Sequence, residues 1–436
     1  MLNAFQNHIN SKLSFLKNGK LLIAISGGLD SVVLLHLCYK MGLNLALAHC
    51  NFNLRGNESD ADEDFVLELA DDLDLEVFIE SFDTEIYAEK NKLSIQMAAR
   101  KLRYDWFETL AKQLGFDAVL TAHHADDNLE TFLINFTRGT GLEGLTGIPI
   151  INGKFVRPLL PFSRENIETY AKENHLKWRD DSSNASTKYM RNKLRHEVIP
   201  ILKGINPSLL HSFETTITNL NDTASIVDER VKAVSKRAVE KTDSNQIKLK
   251  ISEFNKLKNP KAYLFELLKD YGFTEWHDVV NLLEAQSGKQ LFSEKWRLIK
   301  DRNYLFLSEI VSNERFFIEI SETEKHVETP LGNLLFEEVA IISKTEANSI
   351  FVDKNELKFP ITIRTWEVGD IFYPLGMTGK KKLSKYFKDE KYPLLDKENA
   401  LLLCSENKIV WVVGKRADDR FKVTRNTKNI LKVELK

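Results

Sequence analysis

Short apolar runs alternate with longer amphipathic stretches through the amino-terminal part of the chain. Leu21–Ile25, Leu43–Ala48, Leu75–Ser81 and Ala118–Ala122 read as strands, and Ser31–Met41, Ser59–Leu73 and Ser94–Leu114 between them read as helices. Strands joined through helices lie parallel and are covered on both faces, so the pattern predicts βαβ units and an α/β, Rossmann-like parallel sheet. Open sheets of this kind bind ligands beyond the carboxyl ends of their strands, which places the expected site just after Ile25.

The pattern changes downstream. Phe155 to Leu202 holds a short strand, a helix starting near Ser163 and the polar stretch Arg179-Asp180-Asp181-Ser182-Ser183-Asn184. From Leu209, the residues Phe213, Ile217, Leu220, Ala224, Val227, Val231 and Val234 recur at steps of three and four, one face of a long helix. Helices over Asn259–Tyr271 and Glu275–Ala285 and a hairpin over Trp296–Leu307 follow, then a β-like alternation over Glu309–Asn348 that reads as a connecting sheet. Strand-like Ala400–Cys404, Ile409–Val413 and Ile430–Glu434 mark a final unit. The predicted domains are 1–205, catalytic; 206–310, mainly helical; 311–360, connecting; and 361–436, a small α+β unit.

A formal net charge of −2 leaves no global basic field, so any nucleic-acid contact must rest on local patches. Cys38, Cys50 and Cys404 are far apart and form no C-x-x-C pair, which argues against a zinc knuckle or an iron–sulfur cluster and predicts buried thiols in a reducing compartment. No signal-peptide pattern opens the chain and its apolar runs there are strand-sized, so the expectation is a cytoplasmic protein with no membrane partner.

The densest chemistry lies at Ser26-Gly27-Gly28-Leu29-Asp30-Ser31, between the first strand and first βαβ helix. A strand that breaks at two glycines and re-enters a helix aims unpaired N–H groups at one point, which suits a phosphate or pyrophosphate. Ser26 and Ser31 add hydroxyls, and Asp30 suits a magnesium ion. No Gly-Lys-Ser/Thr follows, so this is not a Walker A loop; the plain alternative is a capped strand-to-helix turn.

After the fourth strand comes Thr121-Ala122-His123-His124-Ala125-Asp126-Asp127-Asn128-Leu129-Glu130-Thr131. With a helix beginning near Ala125, His123, Asp127 and Glu130 are expected on one side at i, i+4 and i+7, in metal or general-base roles with Asp127 a second metal ligand. Alternatively, Asp126 and Asp127 merely favour a helix N-terminus. Arg100, Arg103 and Arg138 are candidate cations for charge developing on a phosphate, or simply helix-surface residues. His49 ends a strand and is held as a nucleotide contact only. Gly139-Thr140-Gly141-Leu142-Glu143-Gly144 matches G-x-G-x-x-G, but a helix-like run precedes it, so a dinucleotide site is not expected there.

Two basic clusters stand out. Arg191, Lys193, Arg195 and His196 follow the acidic pair Asp180-Asp181, and Gly379-Lys380-Lys381-Lys382-Leu383-Ser384-Lys385-Tyr386-Phe387-Lys388 interleaves cations with aromatics. Phosphate contacts with ring stacking would suit a tRNA, whereas a charge run of this kind also fits a solvated face.

Ser26–Ser31 matches the SGGxDS signature at every fixed position and resembles the PP-loop family of ATP pyrophosphatases. With His49-Cys50-Asn51-Phe52-Asn53-Leu54-Arg55-Gly56, Ala98-Ala99-Arg100-Lys101-Leu102-Arg103-Tyr104, Thr121–Thr131, Arg138-Gly139-Thr140-Gly141-Leu142 and Arg157-Pro158-Leu159, the chain resembles the tRNA(Ile)-lysidine synthetases within that family. The likeness continues more loosely through Gly369-Asp370 and Gly379–Lys385. Members often carry a second histidine where Phe52 stands, so Phe52 is given no acid–base role. The resemblance implies ATP and Mg2+ as cofactors, with Ser26, Gly27, Gly28, Leu29, Asp30 and Ser31 gripping the β and γ phosphates while AMP is transferred. It implies tRNA(Ile) with a CAU anticodon and free L-lysine as partners, joined at C2 of the wobble cytidine. Asp30, Arg100, Arg103, His123, Asp127 and Glu130 are then catalytic, and Arg138, Arg191, Arg195, Lys380, Lys381, Lys382 and Lys385 meet the tRNA. A homodimer is compatible with the sequence. Rival readings are a tRNA thiolase on the same loop, which needs catalytic cysteines or a cluster, an amidating enzyme such as an NAD synthetase, and a catalytically silent RNA-binding module.

Overall fold

The computed structural model describes residues 1–179, 190–241, 246–310, 316–342, 348–377 and 379–436. They fall into two compact units, Met1–Glu229 and Arg230–Lys436.

In the first unit, α1 (Leu2–Lys12) precedes β1 (Lys20–Ala24), α2 (Leu29–Lys40), β2 (Asn44–Asn51), α3 (Asn57–Asp72), β3 (Val77–Ser81), α4 (Thr84–Asn91) and α5 (Ile95–Gln113). Then come β4 (Ala118–Leu120), α6 (Ala125–Arg138), α7 (Leu142–Leu145), the hairpin β5 (Ile151–Asn152) and β6 (Phe155–Val156), and α8 (Arg164–Glu173). Later, α9 (Met190–Lys193), a π-helical turn over Leu194–Val198 and α10 (Ile199–Ile205) lead into the long α11 (Leu209–Ala238). The polar residues 180–184 singled out in the sequence lie outside the described residues.

The sheet order is β3-β2-β1-β4-β6-β5, parallel except for the terminal hairpin. Period-two alternation along β1 divides the core. Leu21 and Ile23 pack with Phe5 and Ile9 of α1, Val33 of α2 and Ile167 of α8, while Leu22 faces Phe107 and Ala111 of α5. Helices therefore cover both faces, and α2 buries Val32, Val33, Leu34, Leu35, Leu37 and Cys38. Each such aliphatic side chain contributes about 1.5–3 kcal/mol of burial, which anchors the turn that opens α2. The chain runs outward from β1 through β2 and β3, then crosses back to β4 on the other side of β1. That reversal leaves a crevice between the ends of β1 and β4, the position where open sheets take ligands.

The second unit begins with the end of α11, whose Val234 and Ala238 share a core with Leu264, Leu268 and Leu298. Helices Pro260–Leu268 and Trp276–Asn281 are present where expected, the second ending earlier than the sequence suggested. They accompany a five-stranded antiparallel sheet of Val239–Lys241, Ile247–Lys250, Tyr304–Glu309, Trp296–Asp301 and Gln290–Phe292, in that order. Its outer strands are too short to show a readable alternation, so only the central hairpin was legible.

The segment read as a connecting sheet belongs to a sandwich with the C-terminal strands. Phe317–Ile320 pairs with Ile361–Thr365, and Gly332–Val339 pairs with Ile430–Leu435. The two four-stranded sheets share one core, including Ile363, Leu403 and Val410 from one and Phe336, Ile350 and Val433 from the other. The alternate residues Leu402 and Cys404 point to a second core with Tyr386 and Phe387. This corrects the expectation of ring stacking on bases: Tyr386 and Phe387 are 5 % and 0 % exposed. Lys381 pairs with Asp389 at 2.8 Å, whereas Lys380, Lys382 and Lys385 are exposed. Among the described residues, no helix is long and apolar enough to cross a membrane.

Candidate active site

Ile25 extends β1 by donating its N–H to Ala48 at 2.9 Å, and the chain then turns at Gly27 with φ +80°. A Cβ on Gly27 would lie 3.2 Å from the Phe65 ring, so sterics and backbone both favour glycine. Gly28 precedes α2 and no side chain caps the helix, which leaves first-turn N–H groups for a ligand. Ser31 Oγ donates to the Gly28 carbonyl at 2.9 Å and accepts from the Ser26 N–H at 3.2 Å, and Ser26 Oγ accepts from the Gly28 N–H at 3.4 Å. The cradle is thus braced before any ligand arrives. Gly27→Ala is expected to cost about 1–2 kcal/mol through its left-handed φ, read as a KM for ATP raised about tenfold. An unchanged KM in a pyrophosphate-release assay would contradict this role for the turn.

Across the crevice, β4 ends at Leu120 and α6 starts at Ala125, with His124 as its N-cap residue. Asp127 Oδ2 accepts the His124 N–H at 3.1 Å. The His124 ring is 1 % exposed, and its Nε2 lies 3.4 Å from Asp127 Oδ2 and 3.8 Å from Asp30 Oδ2. One imidazole edge therefore stands between the carboxylate of the glycine turn and that of α6. Asp30 Oδ2 also accepts from Arg164 Nη1 at 2.9 Å, while Asp30 Oδ1 is buried with no hydrogen-bond partner. An orphaned carboxylate oxygen beside a second carboxylate fits magnesium, which takes one or two protein carboxylates and completes its shell with phosphate oxygens and water. Among the described residues no group of three His, Cys, Asp or Glu side chains forms a full protein cage.

His123 lines the same cleft, its Nδ1 3.0 Å from Thr121 Oγ1. Burial holds its pKa down to about 4, Asp127 pulls the other way, and Arg157, Arg100 and Arg191 add to the lowering. A ring held that low is uncharged at neutral pH and offers a cleft ligand hydrogen bonds only.

Glu130 departs from expectation. His123 precedes the helix, so the assumed helical spacing from His123 does not apply, and Glu130 does not line the cleft. It is 1 % exposed, with Arg195 Nε at 2.6 Å from Oε1, Arg195 Nη2 at 3.0 Å from Oε2 and Arg191 Nε at 3.4 Å from Oε2. Burial pushes its pKa up against the opposing pull of Arg195. Arg195 also reaches Asp127 Oδ1 at 3.3 Å, and it sits in the π-helical turn, a distortion that often marks functional segments.

The cleft has a volume of about 390 Å³ and gathers the Ser26–Ser31 turn, His123 and Asp127 with Arg103, Arg164, Arg179, Arg191 and Arg195. A larger cavity of about 790 Å³, lined by Lys203 and the start of α11, contains none of the turn. Several expected residues lie off the cleft. His49 is 4 % exposed on β2, with Nδ1 2.9 Å from the Ile25 carbonyl oxygen and Nε2 buried without a hydrogen-bond partner, and it is outside the lining. Arg100 lies outside the lining with its guanidinium over Tyr104, 4.7 Å from the ring centre. Arg138 ends α6, exposed and outside the lining. Cys50, expected to be buried, is half-buried on the cleft wall, yet burial pushes its thiol up to about 12, so it presents no thiolate. Gly139 follows α6 and not a strand, as the rejection of a dinucleotide fingerprint required.

The sequence did not reveal Arg164, Arg179, His124 or Asp126 as members of this network. Arg179 donates its backbone N–H to the Gly27 carbonyl at 3.0 Å and its guanidinium to Asp62. Asp126 accepts from the Arg164 N–H and from Lys203 Nζ, both at 2.8 Å; burial alone would raise its pKa, but these two donors hold it below the usual carboxylate range. His124 and Asp126 stood inside the quoted motif. Arg164 lies 134 positions from Asp30, and nothing in the spacing joins them.

A doubly wound sheet whose first strand ends in this uncapped glycine turn defines a PP-loop ATP-binding enzyme, and the model of that domain matches residues 1–202. The TilS substrate binding domain matches residues 242–310, and the TilS substrate C-terminal domain matches 361–435. A tRNA(Ile)-lysidine synthase of Parabacteroides distasonis is 39% identical, covering 99% of both chains. Another, from Bacteroides thetaiotaomicron, is 38% identical over 97% of each. The chain belongs to the tRNA(Ile)-lysidine synthase family, RNA-modifying ligases built on a PP-loop domain. A U34-tRNA thiolase from Methanococcus maripaludis aligns at 18% identity over 50% of this chain and 79% of its own, with a TM-score of 0.42, too slight a likeness to bear on chemistry.

Proposed function

We propose that this chain adenylates the wobble cytidine of the isoleucine tRNA with a CAU anticodon and then joins free L-lysine to C2, giving lysidine, AMP and pyrophosphate. The supporting observation is that one cleft gathers an uncapped glycine turn, the carboxylates of Asp30 and Asp127, and five arginines. The C2 oxygen of cytidine attacks the α-phosphorus, and the bond to the bridging oxygen breaks so that pyrophosphate departs into the N–H cradle. Arg103, Arg191 and Arg195 line that cleft and would meet the growing negative charge, and preorganised donors of that kind stabilise a transition state more than a ground state. Asp30 and Asp127 would hold a magnesium ion, which would neutralise phosphate charge.

In the second half-reaction the ε-nitrogen of lysine attacks C2 and the C2–O bond to AMP breaks. The amine is protonated in water, with a pKa of about 10.4, so its proton must be removed. Asp127, on the cleft wall, takes it in this second step, after serving the metal in the first; Glu130, engaged by two arginines, holds those arginines in place. Exposed Lys380, Lys382 and Lys385 supply phosphate contacts for the tRNA. Replacing all three with alanine is expected to flatten the slope of log K against log salt by roughly 2–3. An unaltered slope in filter binding would remove this face from the tRNA site.

The deciding assay supplies ATP, radiolabelled lysine and the CAU-anticodon isoleucine tRNA. Lysine retained on the RNA, with pyrophosphate release that needs the tRNA, supports the reading. Pyrophosphate without retained lysine points to another nucleophile such as sulfide, and no pyrophosphate points to a silent RNA-binding protein.

A further inference from the structure

Phe52, Tyr104 and Phe107 give the cleft an aromatic lining, and the Phe52 ring meets both an aromatic neighbour and an arginine. Phe52 stacks on Phe82 with ring centres 5.7 Å apart and planes at 20°, and the Arg103 guanidinium lies over the Phe52 ring at 5.1 Å from its centre. Trp106 meets Phe82 edge-on with ring centres 6.2 Å apart. The backbone beneath is fixed as well. Asn51 Oδ1 accepts the Asn53 N–H at 3.0 Å, Asn53 Nδ2 donates to the Phe82 carbonyl at 3.2 Å, and Thr84 Oγ1 donates to the Phe52 carbonyl at 2.9 Å. Asn53 adopts φ +52°, a left-handed conformation that asparagine tolerates better than most residues. Three side-chain hydrogen bonds thus fix the backbone that carries the Phe52 ring, and stacking on Phe82 backs the ring itself.

We infer that Phe52 is a positioning residue for adenylation: its ring face sets where the Arg103 guanidinium stands in the cleft. A long arginine has several rotatable bonds, and holding it in one place costs conformational entropy. A ring already stacked on Phe82 offers its electron-rich face to the guanidinium and reduces that cost, while leaving the guanidinium N–H groups free to meet phosphate. Among the described residues no carboxylate ion pair is made by Arg103, unlike Arg164, Arg179, Arg191 and Arg195, which bind Asp30, Asp62 and Glu130. The aromatic face does for Arg103 what carboxylates do for the other four. A neutral ring also leaves the full positive charge of Arg103 available to the reacting phosphate, which a carboxylate partner would partly cancel.

The inference rests on the proposed adenylation, and the test separates the two. Arg103→Ala must first slow tRNA-dependent pyrophosphate release in the full-length protein; if it does not, the reading of the cleft fails whatever Phe52 does. Given that loss, Phe52→Leu is expected to lower kcat for pyrophosphate release about three- to fivefold, the scale of one exposed cation–π contact. KM for ATP should stay within about twofold. Phe52→Tyr and Phe52→Trp, which keep a ring face, should recover most of the loss. In an Arg103→Ala background, Phe52→Leu should cost nothing further, because the partner is already gone. Equal loss in the Leu, Tyr and Trp variants, or a full additional loss in the Arg103→Ala background, would overturn the inference in favour of plain packing. A thermal melt of Phe52→Leu guards against misfolding, and if that variant unfolds, the same decision passes to Phe52→Met.

Discussion

Asp127→Ala is expected to lower lysidine formation by about 10³-fold while leaving the fold intact, the scale set by losing a group that handles charge or protons in the transition state. The carboxylate is exposed on 16 % of its side-chain surface and reaches His124 and Arg195, so its removal leaves no buried charge without water. Both half-reactions should suffer under the proposed mechanism, since Asp127 faces the glycine turn across His124 and also lines the cleft. Pyrophosphate release and labelled-lysine retention, measured side by side, check this. Full pyrophosphate release with normal product in Asp127→Ala would remove the residue from the mechanism. Normal release with no product would confine it to the amine step.

Glu130→Gln is expected to act differently, by loosening the arginines. The substitution keeps the shape but removes the charge that two guanidinium groups share at a position 1 % exposed. Breaking a buried pair from one side costs about 3–5 kcal/mol when both partners are buried. Arg195 keeps 25 % and Arg191 43 % of their side-chain surface exposed, so the cost here should fall to roughly 1–3 kcal/mol. Pyrophosphate release should drop about a hundredfold because Arg191 and Arg195 lose their fixed positions. A melting temperature equal to that of the unmodified protein, with adenylation intact and only lysine transfer lost, would instead make Glu130 the base.

How much of this was legible differs by element. The strand-to-helix rhythm before Leu120 located β1 to β4 and α2, α3 and α5 to within a few residues, because each strand carries an apolar run, set between amphipathic stretches. The glycine turn was legible for a local reason: six consecutive residues carry both its geometry and its donors. The i, i+4, i+7 argument brought His123 and Asp127 to one cleft, although His123 precedes the helix, but not Glu130, which is buried against Arg195 and Arg191 in a pairing that spacing does not show. The aromatics of the Lys380–Lys388 run were misjudged because a seven-residue helix, Leu383–Asp389, turns Tyr386 and Phe387 inward while its lysines face water.

By itself the order of residues determined a parallel nucleotide-binding sheet, its phosphate cradle after the first strand, and a motif rich in carboxylate and histidine after the fourth. Those features are short-range, set by backbone freedom at two glycines and by side-chain periodicity within single elements. Only the tertiary structure decided which cations meet which carboxylates: Arg164 with Asp30, Arg195 with Glu130, Arg179 with Asp62. It also decided that Glu130 anchors while Asp127 faces the cleft. Burial and pairing assign such roles, and both depend on residues 65 to 134 positions away that spacing along the chain does not bring together.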